Sequence, residues 1–142
     1  LEEEMQTKLN PYISFNGNAR EALEFYKSAF GGDSKINTFE EFHASEDPSE
    51  NDKVMHGVLE AGSLTLMVAD TPNRMEYKPG ANVSMSLSGE NEAELRGYYD
   101  KLSAGGQVTM PLEKAAWGDT FGMFTDKFGI NWMVNISAGQ KA

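Results

Sequence analysis

His56 and Glu60 are the two side chains whose types and spacing first suggest chemistry. They lie in the run VMHGVLEAG, residues 54 to 62, where strand alternation sets Met55 and Leu59 toward a core and puts His56, Val58 and Glu60 together on the other face. An imidazole in a partly closed pocket can act as a general base near neutral pH or as one metal ligand. The same residue can equally be a structural histidine making one hydrogen bond. Glu60 is four residues along the strand, about 13 Å away at strand rise, so the two can flank one ligand but cannot touch. The other histidine, His43, adjoins the acidic stretch HASEDPSEND and reads as a solvated residue.

Other chemistries are excluded by what the sequence lacks. With no cysteine there is no disulfide, thiolate nucleophile or Cys-based zinc or iron–sulfur site. No GxGxxG dinucleotide loop, P-loop or GxSxG elbow is present. A net charge of −10 disfavours nucleic acid and anionic membrane surfaces as partners. No run approaches the roughly 18 apolar residues of a membrane helix and no leader pattern is visible, so a cytoplasmic location is expected. The Asn-x-Ser matches at Asn82 and Asn135 are then chance occurrences. LeuGluGluGlu ahead of Met5 reads as a cloning remnant and residues 1–4 are set outside the fold. The 142 residues suit a single domain.

The elements that must carry these residues can be traced by pattern. Tyr12 to Phe15 alternates as a strand. Asn18, with Glu21 at the capping-box position, opens a helix over about 19–30, closed by Gly31 and Gly32. Strands are predicted near 34–42, 53–61 and 63–70, the last two joined by a turn at Ala61, Gly62 and Ser63. After a loop with Pro72 and Pro79 the order restarts. Val83, Met85 and Leu87 alternate with Asn82, Ser84, Ser86 and Ser88, and a helix follows over about 92–104, closed by Gly105 and Gly106. The glycine pairs stand 74 residues apart, consistent with two copies of a βαβββ unit, module one at about 8–70 and module two at about 80–137. Last comes a hairpin, GDTFGMFTD and GINWMVNIS, turning at 126–129. In its second arm Trp132, Val134 and Ile136 form an apolar face, opposite Asn131, Met133 and Asn135.

Two motifs carry a family resemblance over roughly residues 8–137. The run W-G-D-x-x-G-x-x-x-D-x-F-G-x-x-W, held by Trp117, Gly118, Asp119, Gly122, Asp126, Phe128, Gly129 and Trp132, resembles the closing hairpin of PhnB-like proteins of the vicinal oxygen chelate superfamily, which includes glyoxalase I, extradiol dioxygenases and bleomycin and fosfomycin resistance proteins. NPYISFNGNAREALEFYKSAFGG, residues 10–32, resembles the opening strand and helix of the same family. The resemblance implies an α+β fold of two βαβββ modules forming a cupped mixed sheet, and a homodimer. It also brings a methyltransferase label tied to ubiquinone synthesis, for which no glycine-rich adenosylmethionine loop exists here.

Metal-dependent members of that superfamily place His, Glu or Gln on cup-facing strand positions. Those positions fall here near Asn10, near Asn82 and at Met133, which are poor donors for hard or borderline divalent ions. The expectation is therefore a protein that binds a small organic molecule with no metal and no cofactor. Its cup would be lined by Tyr12, Ser14, His56, Glu60, Met67, Ser84, Trp117, Met133 and Asn135, with His56 the one candidate for catalysis. A metal-dependent lyase, isomerase or dioxygenase, recruiting His56 and Glu60 with other donors, is the alternative, and a dimeric scaffold with a vestigial pocket is a third. Trp132 is read as core. Trp117 could be a stacking platform, a rim residue or a dimer contact, and Asp119 a ligand contact or a turn anchor. The methionines, Met67, Met85, Met123 and Met133 among them, would suit a pliable apolar cavity or simply fill a core.

Overall fold

The computed structural model describes residues 7–139; the proposed cloning remnant at 1–4 lies outside them. The elements run β1 (Tyr12–Phe15), α1 (Ala19–Phe30), β2 (Asp33–Thr38), β3 (Val54–Ala61), β4 (Leu64–Asp70), β5 (Ser84–Gly89), α2 (Glu92–Ser103), β6 (Gln107–Lys114), β7 (Thr120–Thr125) and β8 (Asn131–Ile136). The fold is α+β, with the βαβββ order occurring twice. The strands hydrogen-bond as two sheets of four, ordered β1-β4-β3-β2 and β5-β8-β7-β6. In each sheet the first strand of the module pairs in parallel with the last, and the remaining pairs are antiparallel.

The described residues form two compact units, one comprising those up to Lys27 with Gly32–Tyr77, the other Ser28–Gly31 with those from Lys78 to residue 139. In the first, Ala19, Ala22, Leu23 and Tyr26 are buried at helical spacing, and Phe15, Leu59, Leu66 and Val68 supply the sheet side of the core. Leu23 lies directly over Gly57, where an added Cβ would stand 3.2 Å from its Cδ2 and 2.9 Å from Val68. The N-terminus of α1 is held from a distance. Asp70, buried at the end of β4, accepts from the Gly17 and Ala19 amides through Oδ1 and from the Val54 amide through Oδ2, each at 2.9 Å.

In the second unit Leu95, Tyr99 and Leu102 of α2 are buried with Leu87, Phe124, Trp132, Val134 and Ile136. Tyr99 sets its ring edge-on to Phe124 at 5.2 Å and donates its hydroxyl to the Met110 carbonyl at 3.1 Å. The tip of α1 belongs here because Phe30 packs on Tyr98 and Trp132, at centroid distances of 4.9 and 5.9 Å. Helix α2 is capped locally, Asn91 accepting from the Glu94 amide at 3.1 Å.

Two expectations about element bounds are corrected and one strand gains its bounds. The second strand stops at Thr38 rather than near 42, because Thr38 and Glu41 exchange bonds, Thr38 N to Glu41 Oε1 at 2.7 Å and Glu41 N to Thr38 Oγ1 at 3.2 Å, and the chain turns. Val83, read as a strand residue, precedes β5 and is 75% exposed. The strand between α2 and the final hairpin, unbounded in the sequence, is β6; it carries Pro111 and two register shifts, which an edge strand tolerates.

Candidate functional site

The helix-free face of the first sheet gathers five of the residues singled out by sequence. Parallel pairing sets Tyr12 beside Met67 and Ser14 beside Ala69, and antiparallel pairing sets Met67 beside Val58 and Thr65 beside Glu60. On the outer side β2 contributes Asn37 opposite His56, Lys35 opposite Val58 and Asp33 opposite Glu60. Alternation thus puts Tyr12, Ser14, Met67, His56 and Glu60 on one surface, away from Leu23. Asn37, Lys35 and Asp33 join them, and only strand register could have revealed that.

His56 is not an isolated group. Its Nδ1 lies 2.9 Å from the Tyr12 hydroxyl, and the rings approach to 5.5 Å at 51°. Burial raises the Tyr12 phenol above its ordinary value, although its side is open to solvent. The phenol therefore keeps its proton at neutral pH. Glu60, at the far end of the same strand, is exposed.

On the second sheet Ser84, Met133 and Asn135 share the helix-free face, with Ser86 and Ser88 of β5 and Phe121 and Met123 of β7. Trp117 stands in the β6–β7 connection and is 63% exposed. It is nonetheless held. Its indole N–H donates to Asn135 Oδ1 at 3.4 Å, and its ring meets Phe121 edge-on at 5.4 Å. Asn135 in turn donates to Asp119 Oδ2 at 3.0 Å, and Asp119 Oδ1 accepts from the Ala138 amide at 3.0 Å. The Asn135 amide, and after it the Ala138 amide, hold the Asp119 carboxyl below the usual carboxylate range. Asp119 thus anchors Asn135 and the chain end of β8, and Asn135 anchors Trp117.

The remaining motif residues are architectural. Asp126 is buried and accepts from the Phe128 and Ile130 amides through Oδ1, at 2.8 and 3.0 Å, and from the Trp132 indole through Oδ2 at 2.9 Å. Trp132 is 2% exposed, as expected of a core residue. Gly129 turns with φ 87°, and a Cβ at Gly122 would come within 2.9 Å of the Leu112 backbone and the Tyr99 ring.

The positions where the resemblance implies ligands for a divalent ion carry weak donors. Asn10 and Asn82 each lie two residues ahead of their strands, and Met133 holds the last-strand position. The in-strand positions facing the same way are Tyr12 and Ser14, and Ser84, Ser86 and Ser88. Among the described residues no three His, Cys, Asp or Glu side chains converge on a point where an ion could sit. These residues do not fit the group.

A family model described as 3-demethylubiquinone-9 3-methyltransferase matches residues 7–135. The crystal structure of protein PA1353 from Pseudomonas aeruginosa is 38% identical, with a TM-score of 0.81 over 93% of this chain and 98% of that one. A PhnB protein from Bacillus cereus is 25% identical, with a TM-score of 0.75 over 92% of this chain and 100% of that one. The fosfomycin resistance protein FosX from Mesorhizobium loti shares the fold alone, at 9% identity and a TM-score of 0.56 over 94% of this chain and 95% of that one.

Proposed function

We propose, since this chain belongs to the PhnB-like family (3-demethylubiquinone-9 3-methyltransferase-like) of the glyoxalase and bleomycin resistance superfamily, that it binds a small organic molecule on the helix-free faces of its sheets, without the superfamily's metal ion. The observation that carries the reading is Trp117, a large aromatic ring left exposed yet fixed in orientation by Asn135 and Phe121. A preorganised indole offers stacking surface at little cost in conformational entropy. The sheet face that bears Asn135 and Phe121 also carries Ser84, Ser86, Ser88, Met123 and Met133, the mixture of apolar surface and few polar groups typical of ligand sites.

The open parallel sheet at whose switch point doubly wound proteins bind dinucleotide and flavin cofactors is not the arrangement here, where each sheet has a single parallel pair. The reading includes a homodimer, supported by Val108 and Met110, each 45% exposed on the edge strand β6. It also includes a cytoplasmic location, in keeping with the absence of cysteine; among the described residues no helix is long and apolar enough to cross a membrane.

The test is a thermal-shift and fluorescence screen of drug-sized aromatic compounds on untagged protein, beside elemental analysis after dialysis against manganese, zinc and iron. Saturable binding without metal, lost in Trp117→Ala, supports the reading. About one tightly held ion per subunit, lost in His56→Ala, replaces it with a metal-assisted enzyme. Neither ligand nor metal leaves a scaffold.

A further inference from the structure

The contact between Tyr12 and His56 fixes more than the position of a ring. A phenol is a good donor and a weak acceptor, while an imidazole nitrogen carrying a lone pair is a strong acceptor. At 2.9 Å the favoured arrangement has the Tyr12 hydroxyl donating to His56 Nδ1, and the raised Tyr12 phenol keeps the proton available for it. The neutral histidine must then carry its own proton on Nε2. Its second nitrogen meets a ligand as a donor, without the free lone pair that a general base needs.

The neighbours of His56 have the same character. Antiparallel register places His56 one step beyond the Gly57–Val68 pair, in a row with Ala69, with Ser14 on β1 and with Asn37 on β2. The hydroxyl of Ser14 and the amide of Asn37 add donors at the ends of this row, and Ala69 between them is too small to fill it. The charged residues of the face, Lys35, Asp33 and Glu60, lie further along the strands.

We propose that this row is a binding site for an acceptor oxygen, the carbonyl or carboxylate of a bound small molecule, in which His56 donates its Nε2–H and Tyr12 is the positioning residue that holds that tautomer. The proposal rests on the small-molecule reading above and names the chemistry of the group bound on this sheet. It assigns His56 to recognition and removes it as a proton acceptor.

The first experiment needs no ligand. Nitrogen-15 correlation spectra of the imidazoles at neutral pH are expected to show His56 protonated on Nε2 in the native protein, and a tautomer mixture in Tyr12→Phe. A native His56 protonated on Nδ1 overturns the proposal. The second uses benzoate and benzamide as probes at millimolar concentration, read at the His56 nitrogens. A shift with benzoate alone identifies a carboxylate site and a shift with both a carbonyl-type site; no shift with either overturns it. Whichever probe binds should keep its affinity in His56→Gln, whose amide reaches near Nε2, and lose about tenfold in His56→Asn, whose amide reaches only near Nδ1. Equal losses in both variants also overturn the donor role. Compounds binding a protein whose His56 is protonated on Nδ1 would sink this proposal alone, whereas no binding by any compound would sink the earlier reading and this one with it.

Discussion

Asp126 and Trp132 form a buried pair six residues apart across the last hairpin, the indole N–H donating to the carboxylate at 2.9 Å. The other carboxylate oxygen meets two backbone amides of the same turn. Asp126→Ala should therefore leave three donors unmet and destabilise the protein by about 3 kcal/mol, while Trp132→Phe should cost less, about 2 kcal/mol. In a double-mutant cycle read by urea unfolding the two losses should add to more than the double variant shows. Simple additivity would mean that the pair does not interact.

The two helices should differ in how much their caps matter. Asn91→Ala removes one local cap bond of α2 and should cost about 1 kcal/mol. Asp70→Ala strips the first amides of α1 and the start of β3 together, and should cost about 3 kcal/mol. Amide exchange at Gly17, Ala19 and Val54 should rise in the Asp70 variant, and equal unfolding midpoints for the two variants would contradict this account.

Gly31 and Gly32 both have positive φ, 74° and 83°, but only one is also crowded. A Cβ at Gly31 meets nothing, whereas at Gly32 it would overlap the Glu60 carbonyl and Ala61. Gly31→Ala should cost about 1 kcal/mol from backbone strain, and Gly32→Ala about 3 kcal/mol from strain plus overlap. In the second module Gly106 has the same crowding, against the Thr125 carbonyl and Asp126, so Gly106→Ala should also exceed Gly31→Ala. Denaturant midpoints decide the order.

Acid should loosen the Trp117 support. The folded-state pKa of Asp119 lies below its unfolded value, so its contribution is complete above the ordinary carboxylate pKa of about 3.9 and fades as pH falls through the lowered folded value. Below about pH 4, Trp117 fluorescence should change before global unfolding. Asp119→Asn should remove that early step, and an unaltered acid profile in the variant would show that Asp119 does not support the indole.

Local pattern was enough to read most of the framework. Alternation in NWMVNI separated Trp132, Val134 and Ile136 from Asn131, Met133 and Asn135 because one face of that strand is buried and the other is not. The glycine pairs after the helices marked the repeat, and the structure gives them a reason beyond capping, since Gly32 and Gly106 each lie against a carbonyl of the neighbouring hairpin. Long-range pairing was out of reach. Nothing near residue 18 signals that Asp70 caps α1, and no spacing rule brings Tyr12 to His56, 44 residues away. β6 escaped definition because Pro111 and its register shifts break the alternation. Of the candidate site, the face assignments were legible residue by residue, whereas the bonds that orient His56 and Trp117 depend on strand register.

The parallel pairing of β1 with β4 and of β5 with β8 also bears on how the chain folds. The β3–β4 and β7–β8 hairpins need only short turns, at 62–63 and 126–130, whereas Tyr12 must wait for Met67 and Ser84 for Asn131. Closing those long loops before the intervening strands exist is entropically unfavourable. The hairpins are expected to gain amide protection first in pulse-labelled refolding and β1 and β5 last, so that in each module the strand made earliest on the ribosome is the one that docks at the end.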